Sequence, residues 1–165
     1  MEDSYVLQLL KPKFKDFYLC FCGFAECEPL HSYGPATRPN YILHYVMKGK
    51  GIYQVGETKY HLKEGQAFLI EPESLTFYQA DKKDPWSYLW VGFGGTEAQR
   101  FVRDLGLNSR QLTCECKYGE ELKGIVFEML HHTRSTAENL YYLQGKLYQF
   151  FSVLARGIEI QQYSN

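Results

Sequence analysis

Short alternating apolar segments separated by glycine-containing turns fill the middle of the chain. The stretch from Tyr41 to Gly95 contains the runs YILHYVMKGKGIYQV, KEGQAFLIEPES and PWSYLWVGFGG. Segments of this length and spacing are typical of a small antiparallel barrel or sandwich. The pattern predicts strands at residues 17–27, 40–48, 51–56, 58–62, 66–71, 75–80 and 86–93. The intervening segment EPLHSYGPATRPN, rich in Pro and Gly, is predicted to be a loop.

After Gly95 the apolar spacing becomes helical. Thr96 and Gln99 are placed as in a capping box, and Gly106 is a suitable stop for that helix. A second helix is predicted over 119–132, and a third is predicted to open at 135–138. The third carries one apolar stripe at steps of three and four: Leu140, Leu143, Leu147, Phe150 or Phe151, Leu154 and Ile158. The stripe fits packing on the chain's own barrel and packing on a partner helix equally well.

The chain is predicted to be organised in three parts. Residues 1–16 form an N-terminal arm, residues 17–95 a β-barrel and residues 96–165 a helical segment. The arm is polar, contains Pro12 and carries scattered apolar anchors: Tyr5, Val6, Leu7, Leu9, Leu10 and Phe14. The predicted fold class is therefore mainly β with C-terminal α-helices.

Composition excludes several classes of protein. The chain has 165 residues, enough for one domain, and 45% of them are hydrophobic. Its formal charge is −1, from 18 basic and 19 acidic residues without a basic stripe, which gives little support for nucleic-acid binding by this chain. No apolar run approaches the ~20 residues of a membrane helix. We expect a cytoplasmic protein that makes no membrane contact.

The five cysteines include two C-x-C pairs, Cys20/Cys22 and Cys114/Cys116. Without a signal peptide, reduced thiols are the simplest interpretation. A zinc site formed by the first pair with Cys27 or His31 is the alternative. Structural zinc sites, however, usually separate paired cysteines by two to four residues, so no metal is predicted.

The order of arm, barrel, glycine-marked strands and helices resembles the effector-binding domain of AraC-type transcriptional regulators. The resemblance covers essentially the whole chain, and it is closest to Gram-positive regulators of multiple-sugar or raffinose metabolism. Its most specific segments are residues 41–51, 65–72 and 85–93. It implies a cupin-like β-barrel with an antiparallel helical dimerisation element. Full-length members continue into two helix-turn-helix motifs, so this chain is expected to correspond to the sensor half, without the part that contacts DNA.

The resemblance to cupins also bears on catalysis. Cupin enzymes hold a metal with His and Glu ligands, but at the corresponding positions this chain has Arg38, Asn40, Ile42 and Thr76. Ile lacks a lone pair and Arg repels a cation, so a metal site of that kind is not expected. No G-x-S-x-G, H-E-x-x-H or Walker-type motif is present. The prediction is a protein without catalytic residues, cofactor or metal.

The resemblance further implies a set of ligand-binding residues. In arabinose-type relatives, ligand is contacted by an Arg before the second strand, a Tyr after the glycine–proline strand and two residues of the tryptophan strand. These positions correspond to Arg38, Tyr78, Tyr88 and Trp90. Tyr88 and Trp90 are two apart and so share one face of a strand. His44 is added because it shares the face of Ile42, whereas Tyr45 must point the other way. For each of these side chains a role without ligand binding is the alternative, such as core packing for Trp90 or a solvated surface charge for Arg38.

The predicted function is a sugar-binding and dimerising sensor of a regulator of carbohydrate metabolism. The subgroup resemblance implies an α-galactoside as effector, with residues 5–14 closing over it. The predicted homodimer contact is the stripe of the third helix: Leu140, Leu143, Leu147, Phe151 and Leu154. Two alternatives remain: a metal-dependent cupin enzyme such as a sugar isomerase, and a dimerisation module that binds no small molecule.

Overall fold

A computed structural model describes residues 3–9 and 13–160. The strands are β1 Asp3–Gln8, β2 Tyr18–Glu26, β3 Ser32–Ala36, β4 Tyr41–Lys48, β5 Lys50–Val55, β6 Thr58–Lys63, β7 Gln66–Ile70, β8 Thr76–Ala80, β9 Ser87–Gly94 and β10 Thr113–Glu115. The helices are α1 Ala98–Asp104, α2 Gly119–Leu130 and α3 Ala137–Leu154. This is the predicted fold class, mainly antiparallel β with helices at the C-terminal side.

The strands form two antiparallel sheets that pack face to face. One sheet has the order β1-β2-β9-β4-β7-β10 and the other the order β3-β8-β5-β6. Neither order returns to its first strand, so the fold is cupin-like without a closed barrel. Aromatic rings join the sheets: the Phe68 centroid lies 4.6 Å from that of Tyr53 and 5.5 Å from that of Tyr78. The interior between the sheets is therefore strongly aromatic.

The seven strands predicted between residues 17 and 93 are confirmed within two residues at each end. Three further strands, β1, β3 and β10, were not predicted, and all three lie at sheet edges. β3 lies in the segment predicted to be a loop, and its register with β8 skips Gly34 and Pro35. An edge strand tolerates Pro because its outer N–H groups need no ladder partner. β10 has only three residues and pairs with β7 alone.

The helix predictions are confirmed except for one cap. Helix α3 begins as expected, with the Thr136 side chain accepting a hydrogen bond from the Asn139 N–H at 3.1 Å. The predicted capping box at Thr96 is wrong, because the N-cap of α1 is Glu97 and has no side-chain cap. The Thr96 hydroxyl lies 3.3 Å from the Asp16 carboxylate instead. The Thr96 side chain therefore contacts Asp16, which is distant in sequence, instead of the N-terminus of its own helix.

Part of the predicted arm is strand β1, which pairs with β2 at the edge of the larger sheet. Further along, the Phe14 ring contacts that of Tyr141 on α3, with centroids 6.0 Å apart. Leu10 and Pro12 lie outside the described residues, and the division into arm, barrel and helical segment stays a prediction.

The apolar stripe of α3 packs within the chain. Its buried members are Leu143, Leu147, Phe150, Phe151 and Leu154, whereas Leu140 is half-buried and Ile158 is exposed beyond the helix end. Phe151 contacts Phe17 and Phe93, with centroids 5.0 Å apart in both pairs. The side chains predicted to form a dimer contact are thus largely used by the subunit's own core. Within the described ranges, none of the helices combines the length and apolarity required to cross a lipid bilayer.

Candidate ligand-binding cavity

A cavity of about 350 Å³ lies between the two sheets at the end covered by β1. Its wall includes all five side chains predicted to bind ligand: Arg38, His44, Tyr78, Tyr88 and Trp90. Val6 and Gln8 of β1 also line it. The structure therefore brings the predicted residues together in one place, and it adds the arm strand to them.

Strand pairing explains why these side chains converge. His44 on β4 pairs directly with Trp90 on β9, and Val46 pairs with Tyr88. Because side chains alternate along a strand, Tyr88 and Trp90 point to one side, and His44 points to the same side as Ile42. Ile42 lines the cavity too, as the parity argument predicts. Tyr78 comes from β8 of the facing sheet.

His44 is the most buried polar side chain of the cavity, with 3% of its surface exposed. Its ring stacks on Phe68 at 4.6 Å and lies 4.8 Å from Tyr78 and 4.9 Å from Tyr88. Burial, assisted by the charge of Arg38, lowers the pKa of His44 to about 3. Its Nδ1 has no hydrogen-bond partner among the described residues. The imidazole is therefore neutral at ordinary pH, with unused hydrogen-bonding capacity.

Arg38 is half-buried and held by aromatic rings. Its guanidinium carbon lies 5.4 Å from the Phe21 centroid and 5.3 Å from the Tyr33 centroid, which are cation–π distances. In the part of the chain that the structure describes, its guanidinium makes no ion pair and no hydrogen bond. Its N–H donors are consequently free for a ligand.

The facing sheet adds a pair of stacked phenols. Tyr33 on β3 pairs with Tyr78 on β8, and their rings stack with centroids 5.6 Å apart. Burial raises the pKa of the Tyr78 hydroxyl, so the group stays protonated and can donate a hydrogen bond. On β9, Tyr88 and Trp90 meet edge to face at 5.6 Å. The cavity thus combines aromatic faces with directional polar groups.

Sequence reasoning missed several cavity residues, among them Phe21, His31 and Tyr33. Tyr33 and His31 lie in the segment predicted to be a loop, so no alternation was assigned to them. Phe21 faces the cavity because its ring lies over Gly92, where a Cβ atom would come within 2.4 Å of it. The glycine in the motif VGFGG was the available signal, since a strand glycine often marks close approach of another group.

Two other aromatic side chains lie outside the cavity lining. Trp86 is 1% exposed and packs on Phe68 and Tyr88 in the core. The glycine at Gly51 leaves room for its indole beneath β5. Tyr45 points away from the cavity, as its parity requires, and its hydroxyl donates to the Cys116 carbonyl.

Among the described residues, no group of three or more His, Cys, Asp and Glu side chains is placed to hold a metal ion. The described cysteines are all free thiols. Burial raises the pKa of Cys20 to about 11 and that of Cys22 to about 12, so both remain protonated at neutral pH. A protonated thiol is a poor metal ligand.

Comparison with known proteins gives these features a context. Solved structures of similar fold include YhaK from Escherichia coli, with a TM-score of 0.55 and 14% identity over 70% of this chain and 52% of that one. Another is a Cupin 2 conserved barrel domain protein from Salinispora arenicola, with a TM-score of 0.46 and 14% identity over 62% of this chain and 83% of that one. At this identity the likeness concerns the fold alone.

Sequence relatives are more informative. The Msm operon regulatory protein of Streptococcus mutans is 31% identical over 80% of this chain and 48% of its own length. The raffinose operon transcriptional regulatory protein RafR of Pediococcus pentosaceus is 37% identical over 44% of this chain and 27% of its own length. The lactose operon transcription activator of Staphylococcus xylosus is 30% identical over 58% and 36%. The chain spans about half the length of these relatives, or less.

The family model described as the AraC-like ligand-binding domain matches residues 19–151. This match includes β2 to β10 and most of α3, and with them the cavity side chains from Phe21 to Trp90. The chain therefore belongs to the family of AraC-like ligand-binding domains.

Proposed function

We propose that a sugar is the effector of this domain, that it binds in the cavity between the sheets, and that the domain acts as the sensor of a transcription regulator of carbohydrate use. The observation that carries the proposal is the cavity wall, where aromatic faces surround a free guanidinium and a neutral imidazole. Aromatic faces cover the C–H surfaces of a sugar ring, and directional donors and acceptors bind its hydroxyls. Two of the relatives are named for the raffinose operon and the lactose operon, which points to the same class of ligand.

Within this proposal each predicted side chain has a role. Trp90 and Tyr88 supply apolar faces, Arg38 and Tyr78 donate hydrogen bonds, and His44 offers a ring nitrogen from the cavity wall. An α-galactoside is the proposed type of sugar. DNA would be bound by a part of the regulator outside this chain, and the domain itself would catalyse no reaction.

Calorimetric titration with galactose, lactose, melibiose and raffinose tests the proposal. At least one of these sugars should bind, and Trp90→Ala or Arg38→Ala should weaken its binding about tenfold or more, since buried aromatic and Arg contacts dominate such sites. Arg100→Ala is the matched control, because the Arg100 side chain is exposed on α1 and pairs only with Glu97 among the residues described.

Two outcomes would favour other functions. A stoichiometric metal in the purified protein, retained in Arg38→Ala, would support a metal-dependent cupin enzyme. Absence of binding heat with every sugar, in a folded protein that self-associates, would support a dimerisation module that binds no small molecule.

A further inference from the structure

A second cleft of about 300 Å³ adjoins the cavity. Three residues line both spaces: Gln8, Phe21 and Arg38. The rest of the second cleft includes Tyr18, Cys20, Pro39 and Asn40. The two spaces therefore adjoin each other along these three side chains.

The cleft results from an irregularity in β2. The register of β2 against β9 shifts between Leu19 and Phe21. Such a bulge places two consecutive residues on the same side of a strand, and here Cys20 and Phe21 both line the cleft. A regular strand would have pointed one of the two away, so the bulge brings both to this surface beside the cavity.

The chemistry of the second cleft also suits a sugar. Tyr18 is half-buried and lies along Gly94, where a Cβ atom would be 2.9 Å from its hydroxyl oxygen. The Asn40 amide is half-buried and has no hydrogen-bond partner within the described ranges, so both its donors and its acceptor are free. Among the residues that the structure describes, Arg38 is the one charged side chain in the lining of the cleft. An aromatic ring beside a free amide can bind a neutral, hydroxyl-bearing group.

We infer that the second cleft is a subsite for the next ring of an oligosaccharide, whose first ring occupies the aromatic cavity. Arg38 stands between the two rings and can donate to both, because its guanidinium is held by ring faces rather than by a carboxylate. The effector would then be a disaccharide or longer, and Tyr18 and Asn40 would select for its length. This inference rests on the proposed function.

A chain-length series tests the inference. Galactose, melibiose and raffinose are titrated into the protein, with glucose and maltose as a second series. A disaccharide should bind about tenfold or more tightly than its monosaccharide, because the second ring adds contacts in the cleft. Asn40→Ala and Tyr18→Leu should each weaken disaccharide binding about 3- to 10-fold and leave monosaccharide binding unchanged. Trp90→Ala should weaken both.

Gln149→Ala, an exposed amide substitution on α3, is the control and should change neither affinity. Melting curves of the two cleft variants establish that they are folded, and each of them tests the subsite independently. If a monosaccharide binds as tightly as the disaccharide and both cleft variants bind normally, the subsite is refuted while the proposed function stands. If no sugar of any length binds the folded protein, the proposed function fails and the subsite fails with it.

Discussion

The imidazole of His44 lies flat against the ring of Phe68, with centroids 4.6 Å apart and an interplanar angle of 3°. The two residues pair directly across β4 and β7. Tyr78 and Tyr88 enclose the other sides of the imidazole. Little of the imidazole surface is left to water, and the charged form of His44 becomes costly.

Stability should consequently fall in mild acid through His44. Its pKa is about 3 in the folded protein and near 6.5 in the unfolded chain. Below pH ~6.5 His44 binds a proton in the unfolded chain but not in the folded protein, whereas above that pH the imidazole is neutral in both. As the pH is lowered from 6.5 to 4, the free energy of unfolding of the natural protein should fall more steeply than that of His44→Phe. The difference in slope should be up to about 1.4 kcal/mol per pH unit. Urea unfolding at several pH values measures the difference.

The exposed His61 provides the control for this experiment. His61→Gln should keep the pH dependence of the natural protein, because the environment of His44 is unchanged. Parallel pH profiles for the natural protein and His44→Phe would show that the buried imidazole does not titrate as described.

Two glycine-to-alanine substitutions should act in opposite directions. At Gly51 an added Cβ would lie 2.4 Å from the Trp86 ring and 2.6 Å from the Gln79 carbonyl oxygen. Gly51→Ala should therefore lower the free energy of unfolding by about 1–3 kcal/mol, the usual cost of overpacking. Gly124 lies within α2 with no atom near the added Cβ, so Gly124→Ala should raise stability by about 0.5–1 kcal/mol.

Thermal and denaturant unfolding of both variants checks the pair. A Gly51→Ala protein as stable as the natural one would mean that Trp86 can move aside. In that case the packing of Trp86 on Phe68 would not be fixed in one arrangement.

The two faces of α3 should respond differently to charge. Leu147 is fully buried, so Leu147→Glu should unfold the subunit rather than dissociate a dimer. The opposite face carries Tyr141, 67% exposed, and Gly145, whose Cβ position is open. If the homodimer predicted from the sequence forms through α3, Tyr141→Glu combined with Gly145→Glu should give folded monomers in sedimentation velocity.

Circular dichroism shows whether each of these variants is folded. If the double variant Tyr141→Glu, Gly145→Glu sediments with the same mass as a dimeric natural protein, this face of α3 is not the dimer contact. A natural protein that is already monomeric at high concentration would contradict homodimer formation by the isolated chain.

Local alternation predicted which site residues share a strand face, whereas Arg38 and Tyr78 were assigned to the site by the family resemblance. It placed Tyr88 with Trp90, and His44 with Ile42, on common strand faces, and the structure has both pairs in the cavity wall. It also gave seven strands and three helices close to their observed bounds. The reason is that strand and helix periods depend on backbone geometry, which neighbouring residues specify by themselves.

The failures occurred where a distant residue decided the outcome. Thr96 contacts Asp16 instead of capping α1. Strand β3 forms despite Pro35 because β8 is available to pair with it. None of these partners is adjacent in sequence, so no local pattern could identify them.

The sequence by itself determined which side chains share a face, and therefore which aromatic and basic groups could meet. Only the tertiary structure decided what each face packs against. It directed the stripe of α3 into the subunit's own core and brought Tyr33 over Tyr78 beside Arg38. The physical reason is that periodicity is a property of the local backbone, whereas the partner of a face is chosen by sheet order and by competition for burial across the whole chain.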